Sequence, residues 1–316
     1  MTSTLVYGLM LEVMLPIMLL VGAGAVWRRR GKYVSAIRLR RALNSLVLYL
    51  FSPALLLSIA ASTPISRELL SVPLLVGLGL LISGALLYFL FFKLTWFSQA
   101  SRQTRAVLVL SGMFGNVLFI GLPVLTYLYG ESAQRYPAYT DMLASIPLVW
   151  SVGVWICVRL GGASSANHIS VWHTVLRQPP LWGFIVGLVL QQSELSVEPL
   201  TNAARWVGSA TVPSMLFVVG LSIPWAKLRP SSAVLTAILV KLLVFPGIVW
   251  GLAQILFAPL SEADYAAIIE SAMPTMTLAV LFADRFNLDV DTAGLMVAWS
   301  LLFFVVSLPL WLWIIL

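Results

Sequence analysis

The sequence predicts an all-α membrane protein of ten transmembrane helices, built as two inverted five-helix repeats in which the fourth and ninth helices are broken. Three observations lead there. The first is composition: of 316 residues, 60% are hydrophobic and 10% charged, with mean hydropathy +0.97, whereas soluble domains carry about 25% charged residues. The second is the placement of the basic residues along the chain, and the third is a match between its two halves.

A helix needs about 20 apolar residues to cross about 30 Å of hydrocarbon. Apolar runs of that kind cover 5–27, 42–61, 69–92, 104–129, 139–158, 179–192, 200–224, 231–257, 262–283 and 293–315, here spans 1 to 10. Span 6 is short unless 169–176 belongs to it. No positive charge precedes span 1 and an arginine cluster follows it, which marks an uncleaved anchor with its N-terminus outside rather than a signal peptide.

On that topology the inner loops hold Arg28, Arg29, Arg30, Lys32, Arg38, Arg40, Arg41, Lys93, Arg102, Arg105, Arg159, Arg177, Lys227, Arg229 and Arg285. Arg67, Arg135 and Arg205 fall on or near the outer side, and Lys241 lies within span 8. The bias places both termini outside, and the short loops suggest a prokaryotic inner membrane. The net charge of +7 is then a membrane address: basic residues beside a span orient it and touch anionic lipid, and no nucleic-acid partner is expected. Cys157 is the single cysteine, which excludes an internal disulfide and cysteine metal sites. His168 and His173, between spans 5 and 6, have no neighbouring ligand types, so no metal site is expected.

The halves match where the helices weaken. Ser111, Gly112 and Met113 in span 4 align with Ser271, Ala272 and Met273 in span 9, 160 residues later. Spans 2 and 7 each carry Asn near the start (Asn44, Asn202) and Pro near the middle (Pro53, Pro213). Five spans per half is an odd number, so the second copy runs upside down, as in many carriers. The repeats divide at 1–160 and 161–316.

Span 4 contains "FGNVLFIGLP" and span 9 "AMPTM". Thr104 to Phe114 covers about 16 Å and Glu262 to Met273 about 18 Å at 1.5 Å per residue, so both interruptions lie near mid-membrane. Gly115 has weak helix propensity, and Pro274 lacks an N–H and clashes with the preceding turn. With Gly121 and Pro123 they are the expected helix-break positions. Irregular backbone at this depth survives only when buried in protein or lining a cavity. A half-helix beginning there turns bare N–H groups, worth about half a positive charge, into the interior. Two of them brought together make an anion site.

Polar groups within the spans are few. Glu12, Lys241 and Glu270 are the ionisable ones expected inside, each costing about 2.5–3.5 kcal/mol at mid-bilayer on insertion scales. Glu270, one turn before Pro274, is the candidate coupling group, holding a proton or facing a coupling cation; the alternative is a hydrogen-bonded structural carboxyl. Lys241 pairs with Glu270 or attracts an anion, or else its stem lets it snorkel. Glu12 belongs near the outer interface. Asn116 contacts substrate, caps the second half-helix, or does both. Thr275 and Thr277 offer hydroxyls to substrate or bond back to the preceding turn.

"GNVLFIGLP", with Gly five and Pro seven residues after Asn, and "AMPTMTLAVLFADRFNLD", followed by Leu308 and Pro309, resemble the auxin efflux carrier family of plant PIN-type exporters and bacterial permeases. The resemblance covers essentially the whole chain, including "LPIMLLVGAGAVWRRRGK" near the start. It implies that broken spans 4 and 9 cross at the substrate site. It also implies a scaffold of spans 1, 2, 6 and 7 that often forms a homodimer surface, and a moving transport domain of spans 3–5 and 8–10. By matched position Asn116 is a polar substrate contact, and Gly115 and Pro274 are the crossing points. Plant members often have Pro before that Asn; this chain has Gly115.

No P-loop, zinc motif or nucleophile elbow is present, so no enzyme activity and no cofactor are expected beyond a coupling H+ or Na+. The expected function is secondary transport of a small organic anion by alternating access. Two other readings are a membrane-embedded metabolite or lipid sensor, which would carry an appended signalling domain, and an ion-coupled carrier of another inverted-repeat family. A cation/proton antiporter of that plan would show paired intramembrane Asp, which the spans lack.

Overall fold

The computed structural model describes residues 2–31, 34–162, 175–193, 198–223 and 228–315. Lys32, Lys227, His168, His173 and most of the 169–176 run lie outside the described residues. Among the described residues the regular structure is helical: α1 (Thr4–Arg30), α2 (Ala36–Ala61), α3 (Arg67–Lys93), α4 (Arg102–Met113), α5 (Val117–Tyr129), α6 (Glu131–Leu160), α7 (Pro179–Gln191), α8 (Glu198–Leu221), α9 (Ser232–Phe257), α10 (Glu262–Ser271), α11 (Leu278–Arg285) and α12 (Val290–Ile315). Seven of these, α1, α2, α3, α6, α8, α9 and α12, are long and apolar enough to cross a membrane, and α5 and α7 are shorter apolar helices.

Serine side chains start several of them. Ser35, Ser66, Ser101 and Ser231 each accept a hydrogen bond from the backbone N–H three residues on, satisfying a donor the helix cannot. Ser261 does so within a capping box closed by Asp264. Asp264 also accepts from Ser71 of α3 at 3.1 Å, tying the start of α10 to its neighbour.

Two starts correct the sequence reading. α2 begins at Ala36 rather than 42, and α6 at Glu131 rather than 139. Their first turns carry Arg38, Arg40 and Arg41, and Glu131 and Arg135; hydropathy counts such turns as loop, while backbone hydrogen bonding runs through them. Gly121 and Pro123 also differ from expectation. Both lie inside α5, where a π turn over Val117–Gly121 passes into an α-helix at Leu122. Pro123 sits at the start of that α segment, where its missing N–H costs little.

Lipid tails are as apolar as leucine side chains, so close backbone approach and dispersion hold such helices together. α1 packs on α8, and α2 on both α7 and α8. Gly24 of α1 faces Gly220 of α8: a Cβ built on Gly220 would collide with the Val21 carbonyl oxygen and lie 2.7 Å from the Ala25 nitrogen. α3 packs on α4, α6, α9 and α10, and α12 on α4 and α9. Large apolar side chains cover the outside, Trp206 and Ile255 each 81% exposed, as expected where the surrounding solvent is hydrocarbon.

Candidate functional site

α4 stops at Met113 and α10 at Ser271, and the chain runs extended before helix resumes at Val117 and Leu278. The two extended segments cross antiparallel, with Gly115 opposite Thr275. The Asn116 N–H donates to the Pro274 carbonyl at 2.7 Å, and the Met276 N–H to the Phe114 carbonyl at 3.2 Å. Open backbone at this depth needs partners, and each interruption supplies them to the other.

Side chains finish the crossing. The Thr275 N–H donates to Ser300 Oγ, and Thr275 Oγ1 to the Ser111 carbonyl, both at 3.0 Å. Lys241 Nζ donates to the Ser271 carbonyl at 2.8 Å and lies 4.4 Å from the Phe245 ring centroid. A cation at the last carbonyls of α10 is on the favourable end of its dipole. Gly115 fits closely here: a Cβ on it would come within 2.9 Å of Lys241 Nζ and 3.2 Å of the Met273 oxygen, so the lysine would have to shift.

Beside the crossing lies a cavity of about 430 Å³, within the range typical of small-molecule sites. Gly115, Asn116, Val117, Leu118, Phe119, Met276, Thr277 and Leu278 line it. Among the described residues, the N–H groups of Val117, Leu118, Phe119, Thr277 and Leu278 donate to no protein group. Asn116 is 5% exposed, and its Nδ2 has no hydrogen-bond partner. Arg40, Gln178, Ser222 and Arg285, at the ends of α2, α7, α8 and α11, line the same cavity.

A family model described as "Membrane transport protein" matches residues 9–312. The chain belongs to that family, the auxin efflux carriers. An uncharacterised transporter of Methanothermobacter thermautotrophicus is 25% identical, over 85% of this chain and 87% of its own length. One from Methanocaldococcus jannaschii is 25% identical over 87% and 89%, and the uncharacterised transporter YfdV of Escherichia coli K12 24% over 87% and 88%. The protein is therefore an integral membrane transporter.

Of the residues singled out in this transporter, Gly115, Asn116 and Thr277 line the cavity. The Asn116 side chain does not cap α5. Pro274 and Thr275 belong to the crossing itself, outside the cavity lining. Lys241 is fully buried behind it. It neither snorkels nor pairs with Glu270, because the Ser271 carbonyl takes its ammonium. Glu270 is also fully buried and outside the cavity lining, its two carboxyl oxygens without a hydrogen-bond partner; the Thr140 hydroxyl faces it without bonding geometry.

The bare amides also need a correction. The Asn116 and Met276 N–H groups are consumed by the crossing and that of Thr275 by Ser300 Oγ, and those free for a ligand begin at Val117 and Thr277.

Sequence reasoning missed Asp141, Arg40, Arg285 and Trp150, all on the cavity. Asp141 was hidden by starting span 5 at 139, which made it an interfacial residue; it lies ten residues into α6. A helical reading of the polar turns before 139 would have placed it at depth.

Proposed function

We propose that this protein is a secondary transporter for a small organic anion and works by alternating access of elevator type. The observation that carries the reading is Asn116, buried on the cavity wall with an unpartnered Nδ2, between two helix starts whose first residues with free amides line the same space. Such N-terminal amides favour a carboxylate by geometry and dipole together. Arg40 and Arg285, which pair with no charged side chain among the described residues, add positive potential on the way in.

The packing supports a ten-span inverted repeat, with α4 and α5 as one span and α10 and α11 as another. Exchanging the halves turns the α1–α8 contact into the α7–α2 contact, and glycines bring the backbones together in both. Gly24 serves the first; Gly183 and Gly187 meet Pro53 and Leu57 in the second. These four helices are suited to be the fixed scaffold, and by family pattern the homodimer surface, with α3–α6 and α9–α12 moving against them. With basic loops inside and both termini outside a prokaryotic inner membrane, the cavity opens inward.

Thermal shift of the purified protein against a panel of mono- and dicarboxylates tests the reading. A true substrate at about 100 times its Kd stabilises by about 2.7 kcal/mol; a panel that shifts nothing, while solutes lacking any carboxylate do, ends it. Coupling has its own test in proteoliposomes. Glu270→Gln is expected to take up solute without dependence on a proton or sodium gradient, and unchanged gradient dependence removes Glu270 from the mechanism.

A further inference from the structure

The cavity has a second pole. Asp141 lines it together with Asn116 and the free amides of Val117 and Thr277. It is half-buried, and among the described residues its carboxylate accepts no hydrogen bond and meets no cation. Arg40 and Arg285, near the ends of α2 and α11, line it without an ion pair to Asp141, and Lys241 is taken by the Ser271 carbonyl. Much of the remaining wall is apolar, including Met142, Trp150, Val218, Met276 and Phe282.

A carboxylate at this depth is costly without a counter-charge. A simple organic anion entering the cavity would bring Asp141 no counter-charge, and would repel it wherever it is ionised. A ligand with an ammonium next to its carboxylate offsets both poles at once. We infer that the transported solute is a zwitterion, an α-amino acid with an apolar side chain, whose carboxylate sits at the crossing and whose ammonium is held by Asp141. This rests on the anion site proposed above.

The test is calorimetric binding to the full-length purified protein at neutral pH, comparing leucine with isocaproate and phenylalanine with hydrocinnamate, pairs that differ in the amine. The wild type is expected to bind the amino acids about 10- to 100-fold more tightly, the range of one hydrogen bond to a charged group. D141N should reverse the preference and D141E restore it, with N116A weakening both series together. Wild-type protein that binds the des-amino acids as well or better overturns the zwitterion and leaves the anion site standing, as does D141N with the preference unchanged. Binding in neither series overturns the zwitterion, and if the carboxylate panel also fails, the anion site falls with it.

Discussion

Asn116→Ala is expected to fold, to resist heat as well as the parent, and to take up solute into proteoliposomes about 10- to 100-fold more slowly, the value of a hydrogen bond to a charged ligand group. The separation of the two effects comes from what the side chain does at rest. Its Nδ2 is buried without a partner and caps no helix, so its removal forfeits no bond of the folded state and takes away a buried donor that had none. The backbone N–H of residue 116, which does hold the crossing through the Pro274 carbonyl, survives in alanine. Normal flux from a folded Asn116→Ala protein would show that the side chain does not meet the substrate. A large fall in melting temperature would make it a structural element instead.

Gly220→Leu is expected to destroy the folded state rather than slow it. The α1–α8 contact is made by backbone on backbone, Gly24 against Gly220, with the Val21 carbonyl where a Cβ would stand. Neither helix can withdraw without breaking the contact, so overpacking here costs about 3 kcal/mol or more, a large part of a typical stability. The control lies on the facing helix: Gly22 of α1 has nothing within 4 Å of a built Cβ, and Gly22→Leu should leave thermal unfolding nearly unchanged. Equal melting temperatures for both variants would mean that the crossing relaxes easily.

The fold was readable where the signal is local. Span positions follow from hydrophobic runs, and the interruptions follow from backbone chemistry written into single residues, Gly115 without a side chain and Pro274 without an N–H. The same rule misplaced Gly121 and Pro123, because a glycine in αR geometry and a proline at the start of an α segment are both compatible with continuous helix. Depth was the second failure. Asp141 went unnoticed because a hydropathy boundary reports where polar residues begin and not where helical hydrogen bonding ends.

From the sequence alone came a helical membrane transporter with weak points at matched places in its two halves, because solvent choice and helix propensity are properties of short stretches of chain. The tertiary structure alone decided what those weak points became. It set Gly115 against Thr275, gave the Ser271 carbonyl to Lys241 rather than leaving that ammonium to Glu270, and turned Asp141 and Asn116 into one cavity. Those outcomes depend on how each helix is rotated and how closely its neighbours approach, and both are fixed by many small contacts spread over distant parts of the chain.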